Sequence, residues 1–334
     1  MKPILPETMQ AVCLGEEEGQ FMTRSVPVPR PGKGEVLVKM AAAPINPSDL
    51  ARIRNLAGPT ERASFIPGVE GSGTVVAGGD GLLPKLWLGK RVACTSTRNT
   101  SGTWAEYMVT SAMVCVPLPA SISDEQGAML LVNPLTAVAF FDIARQGGHK
   151  AIVNTAGASS LGRIIERLGK KNHVAVIHVV RNEKQRNVLL DQGADYVLDS
   201  SEKDFAIDLH TLTHKLTATL VFDAVGGQLT RVLMHAVPSG SSVVVYGNLS
   251  GEHPETDHHS LVMGSKKISG FYLGNWLKEK GLITSVRSLL QVRHLLKTGM
   301  TIPVRDRFPL GKAGQAVEMY LGSMTAGKVL LMPD

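Results

Sequence analysis

One short stretch near the middle of the chain constrains its fold more than any other. It runs from Ala151 to Gly162 with the sequence AIVNTAGASSLG. The first residues favour an extended backbone, small residues follow, and aliphatic residues then recur at helical spacing. This pattern predicts a strand, a tight turn and a helix N-terminus whose free N–H groups can face a pyrophosphate. We interpret the turn as a dinucleotide-binding segment formed by Gly157, Ala158, Ser159, Ser160 and Leu161.

The end of the next apolar run predicts which dinucleotide is bound. That run, His173 to Val180, ends at Arg181, roughly twenty positions after the turn, where folds of this kind bind the ribose. An acid there selects NAD, whereas a cation neutralises the 2′-phosphate of NADP. Arg181, Asn182 and Lys184 therefore predict NADPH. Glu183 keeps NADH open as the less favoured cofactor, and a solvated strand end is the alternative explanation of the cations.

Length and composition indicate a globular protein with two domains. The 334 residues suffice for two hydrophobic cores, and 43% hydrophobic with 19% charged residues is ordinary globular composition. The three cysteines, Cys13, Cys94 and Cys115, are widely spaced and odd in number, so we expect buried thiols rather than disulfides. The N-terminal residues lack the apolar core of a signal peptide, which predicts a cytoplasmic protein.

The net charge of +6 does not by itself identify a partner. The cations are spread along the chain without interleaved aromatic residues, and an anionic cofactor explains a local excess. No apolar run is long enough to span a bilayer. We therefore expect neither a nucleic-acid partner nor a membrane partner.

The chain changes in character near residue 125. Residues 1–125 consist of short apolar runs between glycine- and proline-rich turns, which is typical of β structure. Gln126 to Arg145 is compatible with a helix interrupted at Asn133-Pro134. From residue 151, strands and helices alternate, which predicts an α/β fold with a doubly wound parallel sheet. The carboxyl ends of its strands should bring together Thr155, Arg181, the segment Asp223–Gly227 with Val225, and the segment Tyr246, Gly247 and Asn248.

Motifs in a fixed order along nearly the whole chain carry a family resemblance. They include Pro44–Asp49 (PINPSD), Pro67–Gly73 (PGVEGSG), Gly102–Tyr107 (GTWAEY), Asn133–Ala137 (NPLTA), Asp223–Gly227 (DAVGG) and Gly327–Val329 (GKV). The chain resembles the medium-chain dehydrogenase/reductase superfamily, in its zinc-independent quinone oxidoreductase and enoyl reductase branch.

The resemblance implies a fold, an assembly and an active-site location. It implies a Rossmann domain over residues 126–274, inserted into a discontinuous GroES-like domain over residues 1–125 and 275–334, with the active site in the cleft between them. It also implies a homodimer, paired through the sheet edge that the strands Ser242–Tyr246 and Lys267–Leu273 would form.

The residue types at the family's zinc positions predict no metal. Zinc-dependent relatives bind the catalytic ion with two cysteines and a histidine, and the matching positions hold Asn46 or its neighbours, Val69 and Asn133. None of these supplies the thiolate or imidazole that zinc prefers. A polar loop carries His253, His258 and His259, which a solvated turn explains.

Without zinc, the chemistry that fits is hydride delivery from NADPH to a quinone or another α,β-unsaturated carbonyl. The resemblance places Asn46 and Asn133 near the nicotinamide, where their amides could donate to the carbonyl that gains charge. Local turn and helix-break hydrogen bonds are the alternative for both. The resemblance also places Thr136, Phe271, Tyr272, Leu273 and Lys328 at the cofactor, although buried core positions or an exposed strand end would explain them as well.

Two positions depart from the family pattern. Enoyl thioester reductases of this branch carry a proton-donating tyrosine at the position of Ala57, which weakens the thioester interpretation and leaves no evident general acid. Ser159 replaces a turn glycine, so its Cβ restricts backbone approach, while its hydroxyl could bond a phosphate oxygen. The leading hypothesis is an NADPH-dependent, zinc-independent reductase. The alternatives are an enoyl thioester reductase and a non-catalytic NADPH-binding redox sensor.

Overall fold

The computed structural model describes residues 5–15, 19–56, 58–98, 100–297 and 300–333, so Ala57 lies outside the described residues. Its strands are β1 Thr8–Leu14, β2 Phe21–Pro27, β3 Glu35–Pro44, β4 Glu70–Gly78, β5 Arg91–Thr95, β6 Tyr107–Ser111, β7 Val116–Pro117, β8 Ala151–Thr155, β9 Ala175–Val180, β10 Tyr196–Asp199, β11 Leu220–Asp223, β12 Ser242–Val245, β13 Lys267–Gly270, β14 Val304–Pro309 and β15 Lys328–Met332.

The α-helices are α1 Pro47–Arg54, α2 Pro59–Ser64, α3 Leu82–Trp87, α4 Asp124–Ala128, α5 Val132–Gln146, α6 Ser160–Asn172, α7 Glu183–Asp191, α8 Phe205–Leu216, α9 Gly227–Ala236, α10 His258–Val262, α11 Leu273–Lys297 and α12 Ala313–Gly322. Two 3₁₀ turns, Ala112–Val114 and Leu310–Lys312, complete the described secondary structure. Helix α11 contains a kink, since Gly281 has non-helical dihedral angles.

The chain divides into two compact units. Unit 1 comprises residues 1–132 and 295–334, and unit 2 comprises residues 133–294. The sequence analysis placed these borders at 125/126 and 274/275, and the difference arises in the helices that cross them. Helix α5 enters unit 2 after its first residue, and α11 remains with unit 2 almost to its end.

Unit 2 contains a parallel sheet with strand order β10-β9-β8-β11-β12-β13. Numbered along the chain from β8, this is the order 3-2-1-4-5-6 of a Rossmann fold, which confirms the predicted doubly wound sheet. The strands carry near-continuous apolar runs because helices cover both faces. Gly193 and Gly240 have positive φ angles of 84° and 77° in the turns that lead from α7 to β10 and from α9 to β12.

Unit 1 is built around a mixed sheet with strand order β14-β15-β3-β4-β5-β7, to which β6 is added through β3; β14 and β15 pair in parallel, and the other pairs are antiparallel. The strand β15 joins the sheet beside β3, so the two ends of the chain share one β unit. Trp104 is completely buried in its core. The β domain with α12 packed against it therefore agrees with the GroES-like architecture.

Two local details differ from the sequence-based prediction. The predicted strand 267–273 ends at Gly270, and α11 begins at Leu273, because Phe271 donates the last ladder hydrogen bond, to the Val245 carbonyl. The predicted helix interruption at Asn133-Pro134 lies instead at residues 129–131. Pro134 occupies the first turn of α5, where its missing N–H costs no hydrogen bond.

Within the described ranges, none of the helices combines the length and apolar character that crossing a bilayer requires.

Candidate cofactor site and a buried polar cluster

The turn between β8 and α6 has no room for side chains at its two glycines. A Cβ on Gly162 would overlap the Gly157 carbonyl group. A Cβ on Gly157 would lie 2.7 Å from the Cβ of His178 in β9. Ala156 precedes them with a positive φ of 51°, which is unusual for a residue with a Cβ. The backbone of the turn is therefore fixed close to the first two strands, as a dinucleotide-binding turn requires.

Ser159 is the N-cap of α6. Its Oγ accepts the Gly162 N–H at 3.0 Å, and its φ of −68° is unstrained. The hydroxyl that could have bound phosphate is therefore engaged as a helix cap, with its own hydrogen still able to donate. The N–H groups of Ser160 and Leu161 donate to no other described residue. Two backbone donors thus remain at a helix N-terminus, where the helix dipole also favours an anion.

A buried polar chain supports this turn from below and was not anticipated from the sequence. The side chain of the fully buried His178 occupies the space that a Cβ on Gly157 would need, and its Nε2 lies 3.0 Å from Glu166 Oε2 in α6. Asn154 Nδ2 lies 3.4 Å from His178 Nδ1. Burial acts to raise the pKa of Glu166, but the His178 contact and Lys170 lower it below its usual value overall. The chain ties β8, β9 and α6 together beneath the turn.

The predicted ribose-binding residues lie at the start of α7. Arg181, Asn182, Glu183 and Lys184 are all exposed, and none of these charged side chains forms an ion pair with another described residue. Asn182 caps α7 by accepting the Gln185 N–H at 3.0 Å. Arg181 and Lys184 are therefore two unpaired cations that face solvent near the end of β9. Their positive charges would neutralise a 2′-phosphate at this position.

Asp223 organises the loop that follows β11. Its carboxylate accepts hydrogen bonds from Thr155 Oγ1 (2.9 Å), Thr230 Oγ1 (2.7 Å) and the Val225 N–H (2.9 Å). Thr155 Oγ1 in turn accepts the Ala224 N–H at 2.7 Å. Strand-end residues predicted to share one edge are thus connected directly, and the segment Asp223–Gly227 is held rigidly.

The remaining predicted cofactor residues of unit 2 lie around an aromatic cluster. Phe140 stacks on Phe222 with ring centroids 3.8 Å apart, and its centroid is 5.0 Å from those of Tyr246 and Phe271. Burial, with a smaller effect of Asp223, raises the pKa of the Tyr246 hydroxyl. The other predicted cofactor residues differ in exposure: Thr136 is buried, Leu273 is half-buried, and Tyr272 and Asn248 are exposed. Gly247 has no room for a side chain, because a Cβ there would lie 2.8 Å from the Ala224 carbonyl oxygen.

Unit 1 contains a buried cluster of four polar side chains, Asn46, Asp49, Glu70 and Lys328, which we call the polar cluster. Lys328 Nζ donates to Asn46 Oδ1, and Asn46 Nδ2 donates to Glu70 Oε1 at 3.0 Å. Asp49 accepts the backbone N–H groups of Asn46 and Val69, both at 2.7 Å. The amide of Asn46 therefore links a buried ammonium group to a buried carboxylate.

Glu70 also fixes the beginning of α5. Its Oε2 accepts the N–H groups of Leu131 at 3.1 Å and of Val132 at 2.8 Å. These are donors that an α-helix cannot satisfy within itself. This bond could not be predicted from the sequence, because Glu70 and Val132 are 62 residues apart along the chain.

Burial shifts the ionisation of all three charged groups in the polar cluster towards their neutral forms. It raises the pKa of Asp49 to about 7, opposed by the hydrogen bonds from Asn46 and Val69. It also raises the pKa of Glu70, opposed by the charge of Lys328. Burial lowers the pKa of Lys328, opposed by the charges of Glu70 and Asp49. The cluster thus holds opposite charges that stabilise one another against desolvation.

Comparisons with known proteins agree with both units. The alcohol dehydrogenase GroES-like domain family matches residues 32–120, and the zinc-binding dehydrogenase family matches residues 161–288. The solved structure of a candidate NADPH:quinone reductase from Mesorhizobium loti is 34% identical, with a TM-score of 0.90 over 99% of this chain and 100% of that one. The chain belongs to the medium-chain dehydrogenase/reductase superfamily.

Two further relatives show which members of the superfamily it resembles. A candidate NADPH:quinone reductase from Bacillus thuringiensis is 27% identical, with a TM-score of 0.85 over 97% of this chain and 98% of that one. The mitochondrial enoyl-[acyl-carrier-protein] reductase of Rattus norvegicus is 28% identical over 306 residues, which cover 89% of this chain and 80% of the relative. This chain is thus an oxidoreductase of the superfamily, and it is similar to both quinone reductases and enoyl reductases.

The positions that hold zinc in metal-dependent members of the superfamily lack ligands here. Asn46 lies in the polar cluster with both ends of its amide bonded, and the backbone N–H of Val69 donates to Asp49. Asn133 is half-buried in the first turn of α5. Across the described ranges, no group of three or more histidine, cysteine, aspartate or glutamate side chains could hold a metal ion, the loop with His253, His258 and His259 included.

Proposed function

We propose that this protein is an NADPH-dependent, zinc-independent oxidoreductase that delivers hydride to a quinone or another α,β-unsaturated carbonyl. The observation that carries the proposal is the pairing of two features of unit 2. The free N–H groups of Ser160 and Leu161 suit a pyrophosphate, and the unpaired cations Arg181 and Lys184 suit a 2′-phosphate. Both features lie at the carboxyl ends of adjacent parallel strands, where dinucleotides bind in Rossmann folds.

The residues of this chain would bind and orient the cofactor rather than take part in covalent chemistry. NADPH supplies the hydride when bound. Gly157 and Gly162 allow the backbone to approach the pyrophosphate, and the cluster around Phe140, Tyr246 and Phe271 offers an apolar surface to the nicotinamide end. Asn133, which the superfamily resemblance places near the nicotinamide, has a side-chain amide that could donate to the acceptor carbonyl.

A quinone is favoured as the acceptor for a chemical reason. A quinone becomes a hydroquinone after hydride and proton uptake, and the hydroquinone oxygens can ionise, so a dedicated general acid is less necessary. Two solved structures similar to this chain are candidate NADPH:quinone reductases, which supports this choice of acceptor.

An enoyl thioester is the second candidate acceptor. It is supported by the similarity to mitochondrial enoyl-[acyl-carrier-protein] reductases. A non-catalytic NADPH-binding redox sensor is the third possibility, because the family's proton-donating tyrosine is replaced by Ala57. Steady NADPH consumption with a panel of quinones, enones and enoyl thioesters separates these proposals. Faster turnover of an enoyl thioester than of every quinone would refute the quinone assignment, and tight binding without turnover on any acceptor would favour the sensor.

The cofactor assignment is tested by fluorescence titration with NADPH and NADH. We expect Arg181→Ala to weaken NADPH binding about tenfold or more, the scale of a lost charge-assisted phosphate contact, and to leave NADH binding unchanged. Lys215→Ala, an exposed cation of α8, is the matched control and should change neither. Equal binding of NADH and NADPH that Arg181→Ala does not alter would refute the 2′-phosphate site. Absence of binding by either dinucleotide would refute the function itself.

We also propose that the protein forms a homodimer through β13, the edge strand of the parallel sheet. Its exposed backbone edge is available for pairing with a second copy. A monomeric mass in light scattering would refute this assembly.

A further inference from the structure

Unit 1 carries an exposed aliphatic surface at one end of its sheet, which we call the aliphatic patch. It consists of Leu82, Leu83, Leu86 and Leu88, on and directly after α3, and Met113 in the neighbouring 3₁₀ turn. Their exposed fractions are 75%, 36%, 48%, 53% and 67%. Single exposed aliphatic residues are ordinary, but five on two adjoining segments need an explanation.

The patch is held in place by residues that do pack against the domain. Pro84, in the middle of α3, is buried, and a Cβ on Gly78 in β4 would lie 2.9 Å from its own Cβ. The Trp87 indole Nε1–H donates to the Ala112 carbonyl at 3.0 Å, which fixes α3 against the turn that carries Met113. The leucines are therefore presented to solvent by an anchored segment.

The charges around the patch are mainly positive. Lys85 and Lys90 lie within and just after the leucine-rich segment, and Lys90 Nζ is 5.8 Å from the centroid of the Trp87 ring. Lys33 precedes Gly34, whose N–H donates to the Asp80 carbonyl. Asp80 is the acid of this region without an ion pair among the described residues, because Glu35 pairs with Arg98 and Asp124 with Arg91. Three lysines thus surround the patch against one unpaired acid.

We propose that the aliphatic patch and its lysines dock reversibly on a lipid surface that carries anionic headgroups. Leucines beside a tryptophan and lysines match the pattern of segments that lie in a membrane interface, where aliphatic side chains enter the acyl boundary and lysines meet anionic headgroups. A second copy of the chain is a poorer match. Five side chains are far fewer than the roughly 20 residues per side of a stable protein interface, and like-charged lysines would face one another across it.

This proposal changes the expectation that the protein has no membrane partner. That expectation rested on the absence of a spanning segment, whereas docking on a surface needs only a few inserted side chains and a favourable charge. Docking involves neither the dinucleotide turn nor the polar cluster, so it stands or fails independently of the proposed reductase activity.

The experiment is flotation of the full chain with vesicles of phosphatidylcholine alone or mixed with phosphatidylserine. We expect binding to the mixed vesicles, weaker binding to the neutral ones, and release at high salt, which screens the lysines. Leu82→Ser combined with Leu86→Ser should lower the partition coefficient about tenfold or more, because two leucines lose their transfer energy. Ile207→Ser changes a side chain that is 66% exposed on α8 and should have no effect.

Trp87 supplies a second readout that identifies the surface involved. The chain has three tryptophans, of which Trp104 and Trp276 are buried. Vesicles that contain brominated lipids should therefore quench part of the emission, and Trp87→Phe should abolish that quenching.

Several results would overturn the proposal. They are failure to float with anionic vesicles, equal loss of binding for Ile207→Ser, or binding that Lys85→Glu combined with Lys90→Glu leaves unchanged. A lower mass of the Leu82→Ser, Leu86→Ser variant in light scattering would instead assign the patch to contact between copies.

Discussion

Glu70→Gln is the substitution that tests the electrostatics of the polar cluster most directly. The glutamate is almost completely buried, and its two oxygens accept three N–H groups, from Asn46, Leu131 and Val132. Glutamine has the same shape but a single acceptor oxygen. Whichever way its amide is turned, at least one of these donors faces an NH₂ group, and the Lys328 ammonium loses the negative charge that helps to stabilise it.

The expected cost follows from these two losses. A buried donor left without an acceptor costs about 1–3 kcal/mol. Removing one partner from a buried pair of opposite charges costs about 3–5 kcal/mol, because the other charge remains desolvated. The two effects overlap, so we expect Glu70→Gln to lower the free energy of unfolding of unit 1 by about 3–5 kcal/mol at neutral pH. Lys328→Met should cost less in the Glu70→Gln background than in the wild type, since it then no longer leaves the Glu70 carboxylate without its cation.

The assay is urea unfolding followed by tryptophan fluorescence in a Trp276→Phe background. The remaining fluorophores, Trp87 and Trp104, both report on unit 1. Glu318→Gln, an exposed glutamate of α12, is the control and should stay within about 0.5 kcal/mol of the parent. A cost below about 1 kcal/mol for Glu70→Gln, or strict additivity with Lys328→Met, would refute the reasoning, because both groups would then be neutral in the folded protein.

Two further predictions concern the turn and the pH dependence of stability. Gly162→Ala should weaken NADPH binding about tenfold or more in the same titration, since its Cβ would overlap the Gly157 carbonyl and displace the free N–H groups. Gly314→Ala in α12 is the control, because a Cβ there meets nothing within 4 Å, and this variant should bind NADPH normally. Equal NADPH binding by Gly162→Ala and the wild type would refute the role of the turn. Burial raises the pKa of Asp49 to about 7, above its value of about 3.9 in an unfolded chain. Between about pH 3.9 and about pH 7 the folded state therefore binds more protons than the unfolded state, and its stability falls as the pH rises over this range. The stability of the wild type minus that of Asp49→Asn should therefore fall from about pH 4 to about pH 7 and level off above; a difference that stays flat or rises over this range in urea unfolding would contradict it.

The features predictable from the sequence are those with a local cause. The alternation of strands and helices after residue 151 predicted the doubly wound sheet. The apolar run of each strand and the helical spacing of apolar residues in each helix can be recognised within about ten consecutive residues. The glycines at 157 and 162 predicted the tight turn, and the structure shows why a side chain is excluded at both. The borders of strands and helices were less predictable. At Phe271 and at residues 129–131, backbone hydrogen bonds to distant residues decide where an element ends.

The polar cluster and the His178 chain could not be predicted, since their members are brought together only by folding. Asn46, Glu70 and Lys328 are separated by 24 residues or more along the chain, and each lies in a different motif. Of the three, only Asn46 and Lys328 were predicted as site residues. The family resemblance placed Lys328 at the cofactor, and the structure shows a reason for its presence that needs no cofactor: its charge stabilises the carboxylate of Glu70, which fixes the beginning of α5. The same argument applies to Glu166, which has no motif but meets His178 because β9 runs parallel to β8 beneath the turn. Motifs thus indicate which residues matter, whereas burial and partners decide whether they bind a ligand or hold the elements that do.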